Sequence, residues 1–457
     1  MGTMRRRSLL RGSLATAASL ATPFIANAQA RTAVVWAVQG FVPEEDAAFR
    51  KTVADFEKVS GDKIDASIMP FQALNQKAVS ALTSGDVPDL IFHDAPATLL
   101  PQNAWDNLLE DMSDVVEPQR EKLSETAVLN SSFYNSVTRQ RAFYLAPVKQ
   151  SCSPIHLWGD LVEKAGFKMA DAPNTWDAFW DFFKPMQAAL RAKGMRKLYS
   201  LGMQITTVGP NDGNGLFAHF LFANGGQDMV TRDGKLHTDD PVVREAAIRS
   251  IEYMTKAYID GYVPKEALTW NDADDNNAYH EKLFIMDLDG TLSTELAMIK
   301  NKQQYHDAVV MGLPNRNDGA PMRALQAAGG GFIPKGAKGV TVAKNFMTWF
   351  MRPEVMNENL KGGLGRWVPV IPSIVREDPW WTDPNDDPHR LPYVTEAVLN
   401  PTLPAYNGFN PAWGQVNAEQ LWGVAHADVI KNGMTPADAV DKAFRRIETI
   451  FRKFTFG

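Results

Sequence analysis

After its first thirty residues, the chain alternates short apolar stretches with amphipathic helical patterns, and this order limits the possible folds more than any other feature. Strands are predicted at 32–37, at Lys63–Met69 and at 88–94, because each stretch is apolar and bounded by turn residues. Between them, apolar residues recur at helical spacing in one helix that begins at Pro43 and another that ends at Gly85. Strands that alternate with helices form a parallel sheet with right-handed crossovers, so the sequence predicts an α/β fold.

The ends of these predicted strands carry the first candidate site residues. In open α/β sheets, ligands bind beyond the carboxyl ends of the strands. Trp36 and Gln39 lie at the end of the first strand, and His93 and Asp94 lie at the end of the third. We predict that these four side chains contact a ligand. For His93, a hydrogen-bonded structural histidine at a strand end is the alternative.

Residues 1–30 have the order of an export signal. Four arginines and no acid come first, and an apolar stretch of small residues follows. Residues 6–11 (RRSLLR) resemble a twin-arginine signal, and a general secretory signal with an extra arginine is the alternative. We expect cleavage near Ala28 or Ala30 and a periplasmic location for the mature protein.

The remaining chain is acidic. The formal net charge is -6, and because residues 1–30 contribute four positive charges, the rest carries -10. Such a body argues against nucleic acid or an anionic membrane as the main partner. No apolar run reaches the roughly 20 residues that span a bilayer, and the single cysteine, Cys152, cannot form an intramolecular disulfide. We therefore expect a soluble, exported protein that is stabilised by its core.

A later segment, 329–373, carries the most informative order of motifs. Three glycines at 329–331 precede a short strand, and glycine without a Cβ lets a second backbone or a ligand approach closely. Apolar residues then recur on one face of a helix at 342–350. Pro353 starts a second helix, and residues 366–369 (RWVP) are too rich in proline to continue it.

This order of glycines, strand, two helices and extended proline segment resembles the carbohydrate-type extracellular solute-binding proteins of bacterial ABC importers, the family that includes maltose-binding protein. The resemblance implies an α/β two-lobe periplasmic binding protein fold of type II, with discontinuous lobes and three hinge crossings near residues 147, 313 and 364. The implied lobes are 31–147 plus 313–363 at the N-terminal side, and 148–312 plus 364–457 at the C-terminal side.

The same resemblance supplies further candidate ligand-binding residues. It implies that Lys149 and Gln150 line the cleft just past the first crossing. It also implies that Gly330 and Gly331 approach the ligand, and that Trp413 stands where an aromatic residue of the family stacks on sugar.

Other candidates are suggested by the local sequence. Asp212 and Asn214 lie in a polar, glycine-rich loop and carry hydrogen-bonding groups that suit sugar hydroxyls, although solvation of the loop is an equal alternative. Trp270 stands beside Asn and Asp outside any helical period, which suits an amphipathic ligand face. Asp289 ends a short strand at a glycine, where members of the family carry ligand contacts.

The function that the resemblance implies is capture of a sugar or oligosaccharide and its delivery to an ABC permease. We expect a monomer without catalytic residues, metal or cofactor. Arg366 and Lys149 could each pair with an anion, which adds the prediction of an acidic or modified sugar, with a glycerol phosphate or related polyol ester as the alternative. A salt bridge between the lobes is the other interpretation of both cations.

An enzymatic alternative rests on residues 283–292 (LFIMDLDGTL), which match the nucleophile motif of haloacid-dehalogenase phosphatases. In such an enzyme Asp287 would attack phosphorus and Asp289 would act as acid and base beside Mg²⁺. The motif normally opens its domain, and the sequence shows no downstream acidic motif that would complete the Mg²⁺ site. A phosphatase is therefore the less favoured interpretation.

Overall fold

The computed structural model describes residues 31–209 and 211–454. The predicted export signal at 1–30 lies outside the described residues. The strands are β1 Thr32–Val38, β2 Lys63–Met69, β3 Leu90–His93, β4 Ser132–Asn135, β5 Gln140–Phe143, β6 Ala146–Ser151, β7 Ile155–Trp158, β8 Tyr199–Gly202, β9 Phe284–Leu288, β10 Ala308–Met311, β11 Leu325–Phe332, β12 Val368–Pro369 and β13 Leu403–Pro404. The helices are α1 Pro43–Ser60, α2 Phe71–Ser84, α3 Leu100–Trp105, α4 Ser113–Val116, α5 Glu125–Ser131, α6 Gly159–Ala165, α7 Trp176–Ala192, α8 Asp212–Ala223, α9 Pro241–Ile259, α10 Asp274–His280, α11 Ser293–Ala297, α12 Lys302–Asp307, α13 Val340–Phe350, α14 Pro353–Gly362, α15 Pro372–Glu377, α16 Arg390–Val394, α17 Ala412–Ala418, α18 Leu421–Asn432 and α19 Pro436–Phe451.

The first sheet contains the three strands that the amino-terminal pattern predicts. Its order is β12-β6-β11-β3-β1-β2, and β13 pairs with β11. Strand β1 runs parallel to β2 and β3, as predicted. Strand β11 runs antiparallel to both β3 and β6. The sheet is therefore mixed, because a strand from late in the sequence is inserted between two early ones.

Two glycines permit this insertion. A Cβ on Gly329 would lie 2.3 Å from the carbonyl oxygen of Asp94, and a Cβ on Gly330 would lie 2.1 Å from the carbonyl oxygen of Ala146. Both neighbours are backbone atoms, which cannot rotate away. The missing Cβ atoms let β11 approach β3 and β6 closely.

The local sequence determines where helix α1, which packs near the first sheet, begins, which face it buries and where it ends. Pro43 occupies the first turn, where a missing N–H costs nothing, and acidic side chains in that turn suit the positive end of the helix dipole. Phe49 and Phe56 are buried, and the Phe56 ring meets the edge of Phe346 on α13 at 5.2 Å. The helix ends at Gly61, whose φ of 76° is left-handed.

A second sheet has the order β10-β7-β9-β8 and its own hydrophobic core. Trp158, Trp176 and Trp180 are fully buried in that core. The first sheet packs on a separate core, and buried residues of 367–398 belong to this first core rather than to the second. The sequence interpretation put 364–457 in one lobe, whereas α17, α18 and α19 pack into the second core. The lobe boundaries themselves stay a prediction.

Among the described residues, no helix combines the length and the apolar character that a membrane span requires.

Candidate functional site

A cavity of about 560 Å³ is lined by residues of the first sheet, by the segment that follows β9 of the second sheet, and by surrounding helices and loops. Gln39, Asp94 and Asp289 lie just beyond the carboxyl ends of β1, β3 and β9, and all three line the cavity. This is where α/β sheets bind ligands. The volume lies within the range of about 300–1,000 Å³ that is usual for small-molecule sites.

Aromatic side chains form much of the apolar lining. The Trp422 ring stacks on Phe217 with centroids 3.9 Å apart and an interplanar angle of 16°. Tyr406 meets Trp413 edge to face at 4.8 Å. These contacts fix the orientation of rings that line the cavity. The aromatic residues of the lining are Phe41, Phe71, Phe217, Phe222, Trp367, Tyr406, Trp413 and Trp422.

A buried group of four charges lies beside the cavity. The Arg366 guanidinium donates to Glu45 Oε1 at 3.1 Å and to Asp94 Oδ2 at 3.3 Å. Lys149 forms a salt bridge with the other oxygen of Asp94. Burial alone would raise the pKa of Asp94, but Lys149 and Arg366 outweigh it and lower that pKa. Two cations therefore face two carboxylates, and the group is neutral as a whole.

Five carboxyl groups gather on another side of the cavity, and we call them the acidic wall. Asp212 and Asp289 line the cavity directly, and Asp272 does so beside them. One oxygen each of Asp212, Asp275 and Asp289 lies within 4.8 Å of the others. The acidic wall consists of Asp212, Asp272, Asp275, Asp287 and Asp289.

The acidic wall is poorly compensated. Burial raises the pKa of Asp212 and of Asp275 well above the usual range, and neighbouring carboxylates raise both further. Burial also raises the pKa of Asp272 to about 6, although Asn211 donates two hydrogen bonds to that carboxylate. These shifts show that the fold holds the wall's negative charges in an unfavourable environment.

One cation borders the wall, and it already has a partner. His156 is fully buried, and its Nδ1 lies 2.8 Å from Glu295 Oε1. Burial opposes the charged imidazolium, but Glu295 outweighs it, with help from Asp289 and Asp287, and raises the pKa of His156 to about 9. Because Glu295 matches this positive charge, His156 does not neutralise the wall.

The cavity brings together half of the residues that the sequence predicts for the site. They come from the segments that follow β1, β3 and β9, from α8 and α17, and from the segment before β12. Residues of the predicted set that line the cavity are Gln39, Asp94, Asp212, Asn214, Asp289, Arg366 and Trp413. Their contact with a ligand stays a prediction.

The other predicted residues lie behind the lining or away from it. The Lys149 ammonium points to Asp94 and lies 5.1 Å from the centre of the Trp367 ring. Gln150 is fully buried and accepts a hydrogen bond from Ser124 Oγ at 2.7 Å. Residues of the predicted set outside the lining are Trp36, His93, Lys149, Gln150, Trp270, Gly330 and Gly331.

Three of these residues have structural surroundings of their own. His93 is fully buried, its Nδ1 accepts from the backbone N–H of Ala95 at 3.1 Å, and burial lowers its pKa to about 4. Trp270 is 6 % exposed and packs in the second core, with its ring 6.0 Å from Phe284. Trp36 is covered by the Lys77 ammonium, 3.9 Å from the ring centre.

Sequence reasoning missed several residues of the acidic wall. Asp272 and Asp275 of the wall, and the neighbouring Asn276, belong to the run 271–277 (NDADDNN), whose acidity is visible in the sequence. The run lacks the glycine and terminal glutamate of a calcium loop, so it gave no recognisable motif. Only the fold brings helix α10 against the end of β9, where Asn276 Nδ2 donates to Asp289.

A cavity at the carboxyl ends of mixed sheets, lined by aromatic faces and hydrogen-bonding groups, defines a protein that binds a small polar ligand. Residues 51–388 match the model of the bacterial extracellular solute-binding protein family. The chain belongs to this family, which confirms the resemblance described from the sequence. No curated protein sequence matches the chain significantly.

Solved structures share the fold at low sequence identity. An ABC transporter solute-binding protein from Thermotoga lettingae, bound with α-D-tagatose, is 19% identical with a TM-score of 0.74, over 92% of this chain and 100% of that one. Maltose-bound MalE3 of T. maritima is 16% identical with a TM-score of 0.72, over 92% and 100%. A maltotriose-binding protein of Thermus thermophilus is 17% identical with a TM-score of 0.67, over 92% and 100%. The fold is therefore that of the periplasmic binding proteins.

The phosphatase alternative does not survive the family assignment. The family match spans the motif at 283–292, so its carboxylates belong to a binding protein rather than an enzyme. Asp287 lies in β9 and Asp289 directly follows the end of that strand. The Asp289 Oδ1 accepts from the N–H of Gly290 at 2.6 Å. The motif contributes to the acidic wall of the cavity.

Proposed function

We propose that this protein is the periplasmic substrate-binding component of an ABC importer and that it binds a sugar or oligosaccharide in the cavity. In this proposal residues 1–30 direct export, by the twin-arginine route, and two lobes close over the ligand and present it to a membrane permease. The family assignment supports a binding role, and three solved structures with the same fold hold tagatose, maltose and maltotriose.

The observation that carries the proposal is the mixed polarity of the cavity lining. Rings such as Trp413 and Trp422 offer apolar faces that suit the C–H surfaces of a sugar. Asn407 and Asn417 lie in the same lining and offer donors and acceptors for hydroxyl groups. Exclusion of water between closing lobes would strengthen these hydrogen bonds.

The cavity does not favour an anionic ligand such as a glycerol phosphate. Arg366 and Lys149 suggested one in the sequence, but in the structure both cations are paired with carboxylates. A ligand anion would have to compete with Asp94 and Glu45 for them.

Thermal denaturation tests the proposal. A panel of neutral sugars, oligosaccharides, sugar acids, sugar phosphates and glycerol phosphate is added to the protein, and the midpoint Tm is measured. A bound ligand at one hundred times its Kd stabilises the folded state by about 2.7 kcal/mol. We expect a rise in Tm with at least one neutral sugar or oligosaccharide. Stabilisation by sugar or glycerol phosphates alone would contradict the proposal and support the polyol ester alternative.

Phe41→Ala is expected to weaken binding of that sugar by about two- to tenfold, because an aromatic face is lost from the cavity. Phe41 lines the cavity and is 38% exposed, so its removal disturbs little core. Leu108→Ala is the matched control, since Leu108 is 37% exposed and is not part of the lining. Titration calorimetry measures both variants. Equal affinities for Phe41→Ala, Leu108→Ala and the parent protein would show that Phe41 does not contact the sugar.

A further inference from the structure

The cavity is bordered by more carboxyl groups than positive partners, and this bears on the ligand. The four-charge group around Arg366 is neutral as a whole, whereas the one cation that acts on the acidic wall within residues 31–209 and 211–454, His156, is already matched by Glu295. We propose that Asp212, Asp275 and Asp289 form a subsite for one cationic group, either a divalent metal ion bound with the sugar or the ammonium group of an amino sugar. The inference rests on the proposed sugar-binding function.

The geometry of the three carboxylates suits one cation. Their nearest oxygens lie within 4.8 Å of one another. At that spacing the centre lies about 2.8 Å from each oxygen, so a Ca²⁺ ion, which binds oxygen at about 2.3–2.6 Å, would draw the three carboxylates together by a few tenths of an ångström. An ammonium nitrogen, with hydrogen bonds of about 2.7–2.9 Å to carboxylates, would also fit. Carboxylates are the ligands that hard cations prefer, and no soft thiolate lies among the three.

The carboxylates differ in how far the protein satisfies them. Asp289 accepts from Asn276, from Thr294 Oγ1 at 3.3 Å and from the Gly290 N–H at 2.6 Å. The Asp212 side chain, in contrast, has one long contact, 3.5 Å from Gln204 Nε2. Asp275 accepts at Oδ1 from the Asn276 N–H at 2.9 Å. These hydrogen bonds offset part of the effect of burial, which still raises the pKa of Asp289, while Asp212 and Asp275 have fewer donors and need another positive partner.

Unpartnered polar atoms provide an independent sign of a missing group. Asp275 Oδ2 is buried without a hydrogen-bond partner, and the residue is 1% exposed. Gln204, which is 2% exposed and reaches the wall through its amide nitrogen, leaves its carbonyl oxygen Oε1 without a partner as well. Buried polar atoms are nearly always satisfied, and both of these are acceptors, so a cation rather than an anion would satisfy them.

The proposed subsite is also accessible from the cavity. Asp212, Asp289 and Asn276 are part of the lining, so a bound cation would lie at the edge of the sugar site. A metal ion there could share its remaining coordination positions with sugar hydroxyls. An ammonium group of the sugar would instead enter the subsite directly, and in either case the ligand's position would be fixed at this wall.

The test measures Tm after removal of bound metal with EDTA and dialysis. Calcium chloride and magnesium chloride are added separately, with sodium chloride holding the ionic strength constant. D-Glucosamine is compared with D-glucose and N-acetyl-D-glucosamine, which lack the charge. We expect either the divalent chlorides or glucosamine, but not its neutral analogues at the same concentration, to raise the Tm of the parent protein. The responding arm identifies the source of the cation.

Variants localise the effect. Asp275→Asn should weaken the apparent affinity for the cation, read from the dependence of Tm on cation concentration, at least about tenfold, because it removes a charged acceptor. Asp212→Asn provides a second variant if the first fails to fold. Asp65→Asn, an exposed carboxylate of β2 outside the lining, should respond like the parent protein. The inference is overturned if no cation raises the Tm of the parent protein more than it raises the Tm of Asp275→Asn and Asp212→Asn.

The result also separates this inference from the proposed function. Stabilisation by neutral sugars together with no response to cations would support the sugar-binding proposal and contradict the cation subsite. A cation response that Asp275→Asn abolishes, without any response to sugars, would support the subsite and contradict the sugar-binding proposal.

Discussion

Arg366→Met is expected to lower the free energy of unfolding by about 3–5 kcal/mol, because it leaves two buried carboxylates with one cation. The Arg366 side chain is 12% exposed, and it binds Glu45 and Asp94, whose side chains are 12% and 8% exposed. Lys149 would still balance Asp94, so Glu45 would carry most of the uncompensated charge. Urea denaturation followed by circular dichroism measures the change.

A matched pair of controls separates charge from packing. Arg120→Met removes an exposed arginine that pairs with Glu117, with side chains 54% and 48% exposed, and should change stability by at most about 1 kcal/mol. Glu45→Gln added to Arg366→Met should restore part of the lost stability, because it removes the orphaned charge. If Arg366→Met destabilises no more than Arg120→Met, the buried charge group does not stabilise the fold.

This charge group shows what a sequence conceals. The arginine in RWVP at 366–369 is visible, and its two interpretations, ligand anion or salt bridge, could both be stated from the sequence. Its partners are 321 and 272 residues away along the chain. No local pattern links positions at such separations, so the choice between the interpretations required the fold.

The elements of the first sheet were predictable for the opposite reason. The strand Lys63–Met69 and the buried face of α1, with Phe49, Val53 and Phe56, follow from spacing within a few residues. The strand-end rule likewise placed Gln39 and Asp94 at the cavity. Features that are set by neighbours in the sequence could be predicted, because period and turn chemistry are local.

The sequence predicted cavity residues poorly where the exposure of a side chain depends on packing against distant parts of the chain. Trp270 lies outside any helical period, which suggested a ligand face, yet Phe284 of β9 packs against it in the second core. Trp422 has the spacing of an apolar helix face, a pattern that is typical of core residues. It is 1% exposed and also part of the cavity lining, because its helix begins at the site. Periodicity identifies an apolar face, but it does not show whether that face borders a cavity.

Gly330→Ala is expected to cost about 3 kcal/mol of unfolding free energy, at the upper end of what overpacking usually costs. The new methyl group would lie 2.1 Å from the Ala146 carbonyl oxygen and 2.9 Å from the Pro147 Cα, so β11 or β6 has to shift. The ladder between these strands is already irregular between Gly329 and Gly330. Chemical denaturation measures the loss.

Gly215→Ala supplies the contrast. Gly215 lies in α8, and a Cβ there meets no atom within 4 Å, so alanine should stabilise the helix by about 0.5–1 kcal/mol. A loss in Gly330→Ala no larger than the change in Gly215→Ala would mean that the sheet tolerates a side chain at this position. Because β6 ends at Ser151 and β3 at His93, next to lining residues of the cavity, a shift of either strand should also weaken sugar binding. The glycines would then act on the ligand through strand packing rather than by touching it.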